Sequence, residues 1–177
     1  ATGLASADGC LPCLAGSACL AGSVAPTVCA PGSFAPNLGT ATCLQCEAGS
    51  YQASRNSTSC DVYPPSAWCA EGSSAPTACE SGTHGNTTGL RSADECLRCP
   101  EGSWCSAGKA IACGPGTYNA GAGASGHGAC PYCPLTSFTD GESKTSLGDC
   151  ICDPGFFARW VSGNLTCETC PVGANCG

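Results

Sequence analysis

The sequence predicts a small disulfide-rich fold: an elongated rod of tandem cysteine-rich loops with short β-hairpins and almost no helix. Three observations predict it. Twenty of the 177 residues are cysteine, a density that belongs to disulfide scaffolds made in oxidising compartments. Leu, Ile, Val and Phe together number 22, too few large apolar groups to offset the entropy of ordering the backbone unless the chain is cross-linked. The chain also repeats itself: 2–13 and 88–99 are identical at nine of twelve positions.

Each part of that expectation has a physical basis. A bridge closing a loop of about 15 residues contributes roughly 3 kcal/mol by restricting the unfolded chain, and nothing else in this composition supplies stability on that scale. Few stretches reach ten residues without Gly, Pro or Cys, and none shows an apolar period of 3.6, so helix is limited to single turns. Short paired strands are expected around Ser-Tyr, Thr-Tyr and Ser-Phe. Loops that touch only their neighbours stack in a line, hence the rod. The repetition divides the chain into two blocks: 1–86, which starts inside a loop, and 87–177, which has an extra loop at 152–167 and ends inside a unit.

The cysteines follow a grammar. C-x-x-C occurs at Cys10/Cys13, Cys43/Cys46, Cys96/Cys99, Cys130/Cys133 and Cys167/Cys170, with a shortened C-I-C at Cys150/Cys152. Eleven cysteines are followed by x-x-G, whereas Cys133 reads C-P-L-T. A glycine at one fixed offset points to a turn with positive φ or a close backbone approach. Five residues after the opening cysteine stand Phe34, Tyr51, His84, Trp104, Tyr118, Phe138 and Phe157, and Trp68 stands five after Tyr63. Such a row of rings could stack on a ligand or sugar. The simpler expectation is that each ring packs over the disulfide of its own loop.

If the second cysteine of one C-x-x-C opens a loop and the first of the next closes it, the pairs are Cys29–Cys43, Cys46–Cys60, Cys79–Cys96, Cys113–Cys130, Cys133–Cys150 and Cys152–Cys167. Short loops add Cys13–Cys19, Cys99–Cys105 and Cys170–Cys176. Cys10 and Cys69 remain unassigned, because Tyr63 occupies the place where a partner for Cys69 would stand. The expectation is a piece of a longer repetitive chain, or one link of an assembly whose ends complete each other; a Cys10–Cys69 pair is the other possibility.

The cadence C-x-x-C-P-x-G-[ST]-[WY]-C…C-x-P-G-[ST]-[YF]…C-x-x-C, carried by residues 96–133 and 29–51, resembles the ephrin-receptor-like cysteine-rich repeats, relatives of TNF-receptor and laminin EGF-like modules. The resemblance implies a string of small β-hairpin loops with a structural, adhesive or ligand-binding role and no catalytic residues. Tyr63, the missing glycine after Cys133 and the extra loop at 152–167 depart from it.

Other motifs are weighed on their chemistry. Cys130-Pro-Tyr-Cys133 matches a glutaredoxin-type dithiol but lacks the strand-to-helix setting that lowers a thiol pKa. No two C-x-x-C pairs have zinc-ribbon spacing, and His84 and His127 fit no ligand pattern. Asp140, Glu142, Asp149 and Asp153 are the nearest approach to a calcium cluster, and read more simply as a solvated face. No metal or cofactor is expected, nor any enzymatic activity, since no Ser/His/Asp or Cys/His set remains once the cysteines pair. Asn56, Asn86 and Asn164 begin intact N-x-[ST] sequons inside long loops, and SVAPT and SSAPTA could carry O-glycans. Phe156, Phe157, Arg159 and Trp160 in the extra loop form a candidate contact patch.

The net charge of −7, from 13 acids and 6 bases, contains no basic run for nucleic acid or anionic lipid. No apolar run is long enough to span a bilayer and no signal peptide is recognisable, so direct membrane insertion is not expected. The sequence therefore points to an extracellular or cell-surface structural protein, a glycosylated rod-like segment of a long surface or filament-forming protein, such as a fibril or flagellar-hair-like component of a protist or alga. Its partners would be neighbouring repeats or identical subunits, with glycans attached covalently. The competing expectation is the ligand-binding or adhesive ectodomain of a receptor.

Overall fold

A computed structural model describes residues 12–174. It is a small, disulfide-rich fold of short antiparallel hairpins. Among the described residues there are eight two-stranded sheets and no α-helix. The chain forms two compact units, Ala1–Ala78 with Thr87–Glu95, and Cys79–Asn86 with Cys96–Gly177. This division differs from the blocks 1–86 and 87–177. The arm Cys79–Asn86 belongs to the second unit because Cys79 is bonded to Cys96 and Thr83–His84 pair with Leu97–Arg98.

In the first unit, β1 (Ser17–Ala18) pairs with β2 (Thr27–Val28), β3 (Ser33–Phe34) with β4 (Leu44–Gln45), β5 (Ser50–Tyr51) with β6 (Asp61–Val62), and β7 (Ala67–Trp68) with β8 (Thr77–Ala78). In the second, β9 (Thr83–His84) pairs with β10 (Leu97–Arg98), β11 (Ser103–Ser106) with β12 (Lys109–Ala112), β13 (Ser137–Thr139) with β14 (Cys150–Cys152), and β15 (Phe156–Val161) with β16 (Asn164–Thr169). The first strand of every hairpin begins four residues after an opening cysteine, or four after Tyr63 in the case of β7.

That start is set by a turn. In Cys29-Ala-Pro-Gly-Ser, the Ser33 N–H donates to the Ala30 carbonyl at 3.1 Å and Gly32 has φ +83°. This is the type II arrangement, which favours Pro at its second position and needs positive φ at its third. Thr117 and Phe156 close equivalent Pro-Gly turns onto Gly114 and Asp153. The Ser33, Ser50, Thr83, Thr117 and Ser137 hydroxyls donate to the same carbonyls as their own N–H groups, so a hydroxyl residue after the left-handed position locks the turn twice.

All eleven C-x-x-G glycines have positive φ. Where the glycine is missing the backbone keeps the same conformation: Ser66, three after Tyr63, has φ 108°, and Thr136, three after Cys133, has φ 60°. The second reason for glycine is crowding. A Cβ on Gly32 would run into the Gly72 carbonyl, and one on Gly102 into the Ser143 carbonyl. Within each unit, then, a turn presses its backbone against that of a turn about forty residues further on. The arriving turns are also hydrogen-bonded to the residue that opens the intervening loop: the N–H groups of Gly72 and Gly89 donate to the carbonyls of Cys46 and Tyr63 in the first unit, and those of Gly123 and Ser143 to Cys99 and Cys113 in the second.

The core is sulfur and small polar groups. Cys29, Cys46, Cys69, Cys99, Cys105 and Cys113 are the largest fully buried side chains. The sixth residue after the opener fills several of the loops: Ala35, Gln52, Asn119 and Thr139 in long loops, Cys69 and Cys105 in short ones, all buried. The polar fillers are satisfied internally, as buried polar atoms must be. Asn119 Nδ2 donates to the Ser103 and Gly121 carbonyls at 2.8 and 3.0 Å, and Gln52 Nε2 to the Ser59 carbonyl at 2.8 Å.

Among the described residues, three short 3-10 turns, Ala93–Glu95, His127–Ala129 and Leu147–Asp149, lead into Cys96, Cys130 and Cys150. The last is fixed by a capping box between Ser146 and Asp149.

Candidate functional site

The bridges of the described residues are Cys13–Cys19, Cys29–Cys43, Cys46–Cys60, Cys79–Cys96, Cys99–Cys105, Cys113–Cys130, Cys133–Cys150 and Cys152–Cys167. These are the pairs that the loop grammar names. The two cysteines of Cys130-Pro-Tyr-Cys133 are each bonded elsewhere, so they do not form a vicinal redox pair. Cys170 is disulfide-bonded; Cys176 and Cys10 lie outside the described residues. Cys69 is a free, buried thiol. Burial pushes its pKa up, which keeps it protonated and a poor nucleophile. Tyr63, at the position where a bridging partner would stand, instead sets its ring edge-on to Tyr51 at 5.8 Å between centroids.

The aromatic row is partly sheltered. Phe34, Tyr51, Trp68, His84, Trp104, Tyr118 and Phe157 are half-buried. Trp104 meets His127 edge-on at 6.3 Å. His84 Nδ1 is enclosed without a hydrogen-bond partner. Phe138 departs from the row and is exposed.

Among the described residues, no three His, Cys, Asp or Glu side chains gather as a metal-ligand set. Asp149 serves its own turn, where its Oδ2 accepts from the N–H groups of Ser146 and Thr145 at 2.9 and 3.0 Å. Those bonds, Ser146 first, hold its carboxyl below the ordinary 3.8. Asp140 and Glu142 are exposed, and Asp153 is the acceptor of the turn that starts β15.

The sequon asparagines are all exposed. Asn164 starts β16 directly after the left-handed pair Ser162 and Gly163 (φ 50° and 82°), which makes the two-residue hairpin turn suited to twisted strands. Asn56 is a turn residue with φ 59° whose Oδ1 accepts from Ser17 Oγ at 3.1 Å. Asn86 follows the buried Gly85 in the connection between β9 and β10.

The β15–β16 hairpin, closed by Cys152–Cys167, divides the candidate contact patch. Side chains alternate along a strand, so Phe156 and Trp160 take one face and Phe157 and Arg159 the other. On the second face Arg159 pairs with Glu168 at 2.9 Å, both exposed. On the first, Trp160 stands opposite the buried Leu165. Phe156 and Phe157 instead join Phe138, Ile151, Pro154 and Ala158 around an open groove of about 510 Å³. Phe138 and Ile151 face each other across β13–β14 and are 42% and 51% exposed. The sequence patch omits both; the signal for them is a ring on the five-residue register beside the lone Ile of C-I-C.

No protein-family profile matches the chain. A stretch of 44 residues, 25% of the chain, is 48% identical to part of cysteine repeat modular protein A of Toxoplasma gondii. The chain spans about 1% of the length of that relative. With its bridges and recurring turns, the chain is a cysteine-rich repeat protein, similar over this stretch to a cysteine repeat modular protein.

Proposed function

We propose that this chain is a non-catalytic, extracellular structural segment of a surface or filament-forming protein, glycosylated at its exposed sequons, with modules of the ephrin-receptor-like or TNF-receptor-like kind. Its partners are neighbouring repeats or identical subunits, and the likeness to a Toxoplasma repeat protein fits a fibril or flagellar-hair-like component of a protist or alga. The observation that carries this reading is the repeated backbone contact in which the turn glycines Gly16, Gly32, Gly49, Gly82 and Gly102 meet a turn about forty residues on. Those contacts use glycine packing, backed by hydrogen bonds from the arriving turn to the intervening loop, rather than large apolar side chains, so they suit a protein that propagates a repeat. Cystine bridging at this density belongs to an oxidising compartment.

The test is to secrete the chain from a eukaryotic host and image it by negative-stain microscopy, with glycopeptide mapping of Asn56, Asn86 and Asn164. Ordered fibres with a regular axial repeat are expected. Isolated particles at every concentration, each binding one defined protein, would overturn the reading. They would favour a ligand-binding or adhesive ectodomain, the alternative that the apolar groove beside Phe138 supports.

A further inference from the structure

We infer that the fold sorts its three sequons: Asn56 takes a glycan only before its loop docks, whereas Asn86 and Asn164 remain acceptors in the folded chain. The inference rests on the glycosylated reading above and adds an order of events to it.

The sequence does not distinguish the three sites. Asn56-Ser57-Thr58, Asn86-Thr87-Thr88 and Asn164-Leu165-Thr166 all carry threonine at the third position, and all three asparagines are exposed. The chemistry is also common to them. The asparagine Nδ2 attacks the anomeric carbon of a glycosyl diphosphate. A C–N bond forms, the bond from that carbon to the diphosphate oxygen breaks, and one amide proton leaves to solvent as the diphosphate is released. The enzyme must hold the acceptor amide and the sequon hydroxyl together, so the asparagine and its backbone must be free to enter a foreign site.

Asn56 is not free. A Cβ on Gly16 would run into its carbonyl and its Oδ1, so Asn56 holds against Gly16 the place that Gly72 and Gly89 hold against Gly32 and Gly49. Its backbone is left-handed, at φ 59°. Its N–H donates to the Cys29 carbonyl at 3.0 Å, and the Ser57 carbonyl accepts from the Ala35 N–H at 3.0 Å. The side chain is engaged as well. Ser33 and Ser50 turn their hydroxyls onto their own turns. Ser17, at the same position after Cys13 and buried, instead donates to Asn56 Oδ1 at 3.1 Å. Releasing Asn56 therefore strips a buried hydroxyl of its partner and opens the loop contact. A glycan added earlier does not forbid docking, because the sugar replaces a proton on Nδ2 and leaves Oδ1 an acceptor.

The other two sequons are open. Asn164 lies in β16, an extended strand paired only with β15 among the described residues, and alternation puts Asn164 and Thr166 on one face. The Asn164 side chain makes no hydrogen bond among the described residues. Thr166 is exposed, and its Oγ1 donates to the Arg159 carbonyl at 3.1 Å. A binding site can take up an extended segment of this kind without pulling it from its hairpin. Asn86, Thr87 and Thr88 are exposed, and their side chains are likewise unbonded among the described residues.

The test takes the full oxidised chain, made without glycans, and treats it with a soluble N-glycosyltransferase and UDP-glucose, followed by glycopeptide mapping of each site. The same chain, reduced and alkylated, gives the intrinsic rate of each sequon. Relative to that rate, Asn56 in the folded chain is expected to react about tenfold more slowly than Asn86 and Asn164, or slower still. Equal relative rates at the three sites, or refusal of all three by the folded chain, overturn the sorting. Ser17→Ala removes one anchor and is expected to raise the Asn56 rate severalfold; no rise in a variant whose bridges map correctly overturns the role given to Oδ1. Secretion from a eukaryotic host tests the underlying reading separately: a chain with no glycan at any sequon overturns that reading, whatever the rates in vitro.

Discussion

The segment 63–69 and the segment 99–105 have the same length and the same backbone plan, but only one is bridged. Cys99 is bonded to Cys105; Tyr63 leaves Cys69 as a free buried thiol. The hydrogen bonds nevertheless correspond. The Cys105 N–H donates to the Ala124 carbonyl at 2.8 Å, and its own carbonyl accepts from Gly82 at 3.1 Å. The Cys69 N–H donates to Leu90 at 2.9 Å, and its carbonyl accepts from Gly49 at 2.8 Å. Both segments turn through a left-handed third residue, Gly102 at 72° and Ser66 at 108°. The lesson is that loop-to-loop backbone bonding specifies the local conformation, and the sulfur bridge adds stability to a geometry already chosen.

The sharpest way to break the comparison is to remove sulfur from each side. Cys105→Ser should cost roughly 2–5 kcal/mol, the usual loss when a native bridge goes. Cys69→Ser removes only a small buried thiol and should cost about 1–2 kcal/mol. Urea unfolding midpoints of the two variants measure the difference, and equal losses would show that the bridge contributes nothing beyond packing.

The turn itself comes next. Gly102→Ala combines positive φ with a collision against the Ser143 backbone and should cost about 2–4 kcal/mol. Gly116→Ala has the same positive φ, +79°, but open space around it, and should cost only about 1 kcal/mol. Thermal midpoints of the pair separate crowding from conformational strain.

Restoring the missing partner runs the comparison in reverse. Tyr63→Cys should close a bridge to Cys69, stabilise the fold by about 2 kcal/mol and abolish the thiol that Cys69 presents to a denaturing thiol titration. Retention of that thiol in the variant would mean that 63–69 does not share the geometry of 99–105.

The smallest effect is electrostatic and concerns the capped turn before Cys150, which the turn before Cys130 lacks. The Asp149 pKa is lowered in the fold, so its stabilisation is present above the ordinary 3.8 and lost as pH falls through the lower folded value. Between about pH 5 and pH 2, wild type should lose slightly more thermal stability than Asp149→Asn. Identical acid limbs for the two proteins would show that the cap makes no contribution.

Some of this was legible residue by residue. The pairing of Cys29 with Cys43, or Cys113 with Cys130, follows from the alternation of openers and closers, because a bridge is a local event over 14 or 17 residues. The left-handed glycine at the third position is likewise a property of one turn. The candidate patch was less legible. Phe156 and Phe157 are adjacent in sequence, but whether they share a surface with Trp160 depends on how long the β15–β16 pairing runs, and six-residue strands put neighbouring side chains on opposite faces.

From its sequence alone, then, this protein's covalent frame, its turn positions and its lack of an apolar core were determined, since each depends on residue type and short spacing. Only the tertiary structure decided that Ser66 and Thr136 take the glycine conformation, that the arm 79–86 joins the second unit, and that Gly49 is covered while Gly155 is open. The cover on Gly49 depends on a backbone that arrives from forty residues away, and the arm is held by its bridge and strand pairing to residues 96–98; the preference of a single turn encodes neither contact.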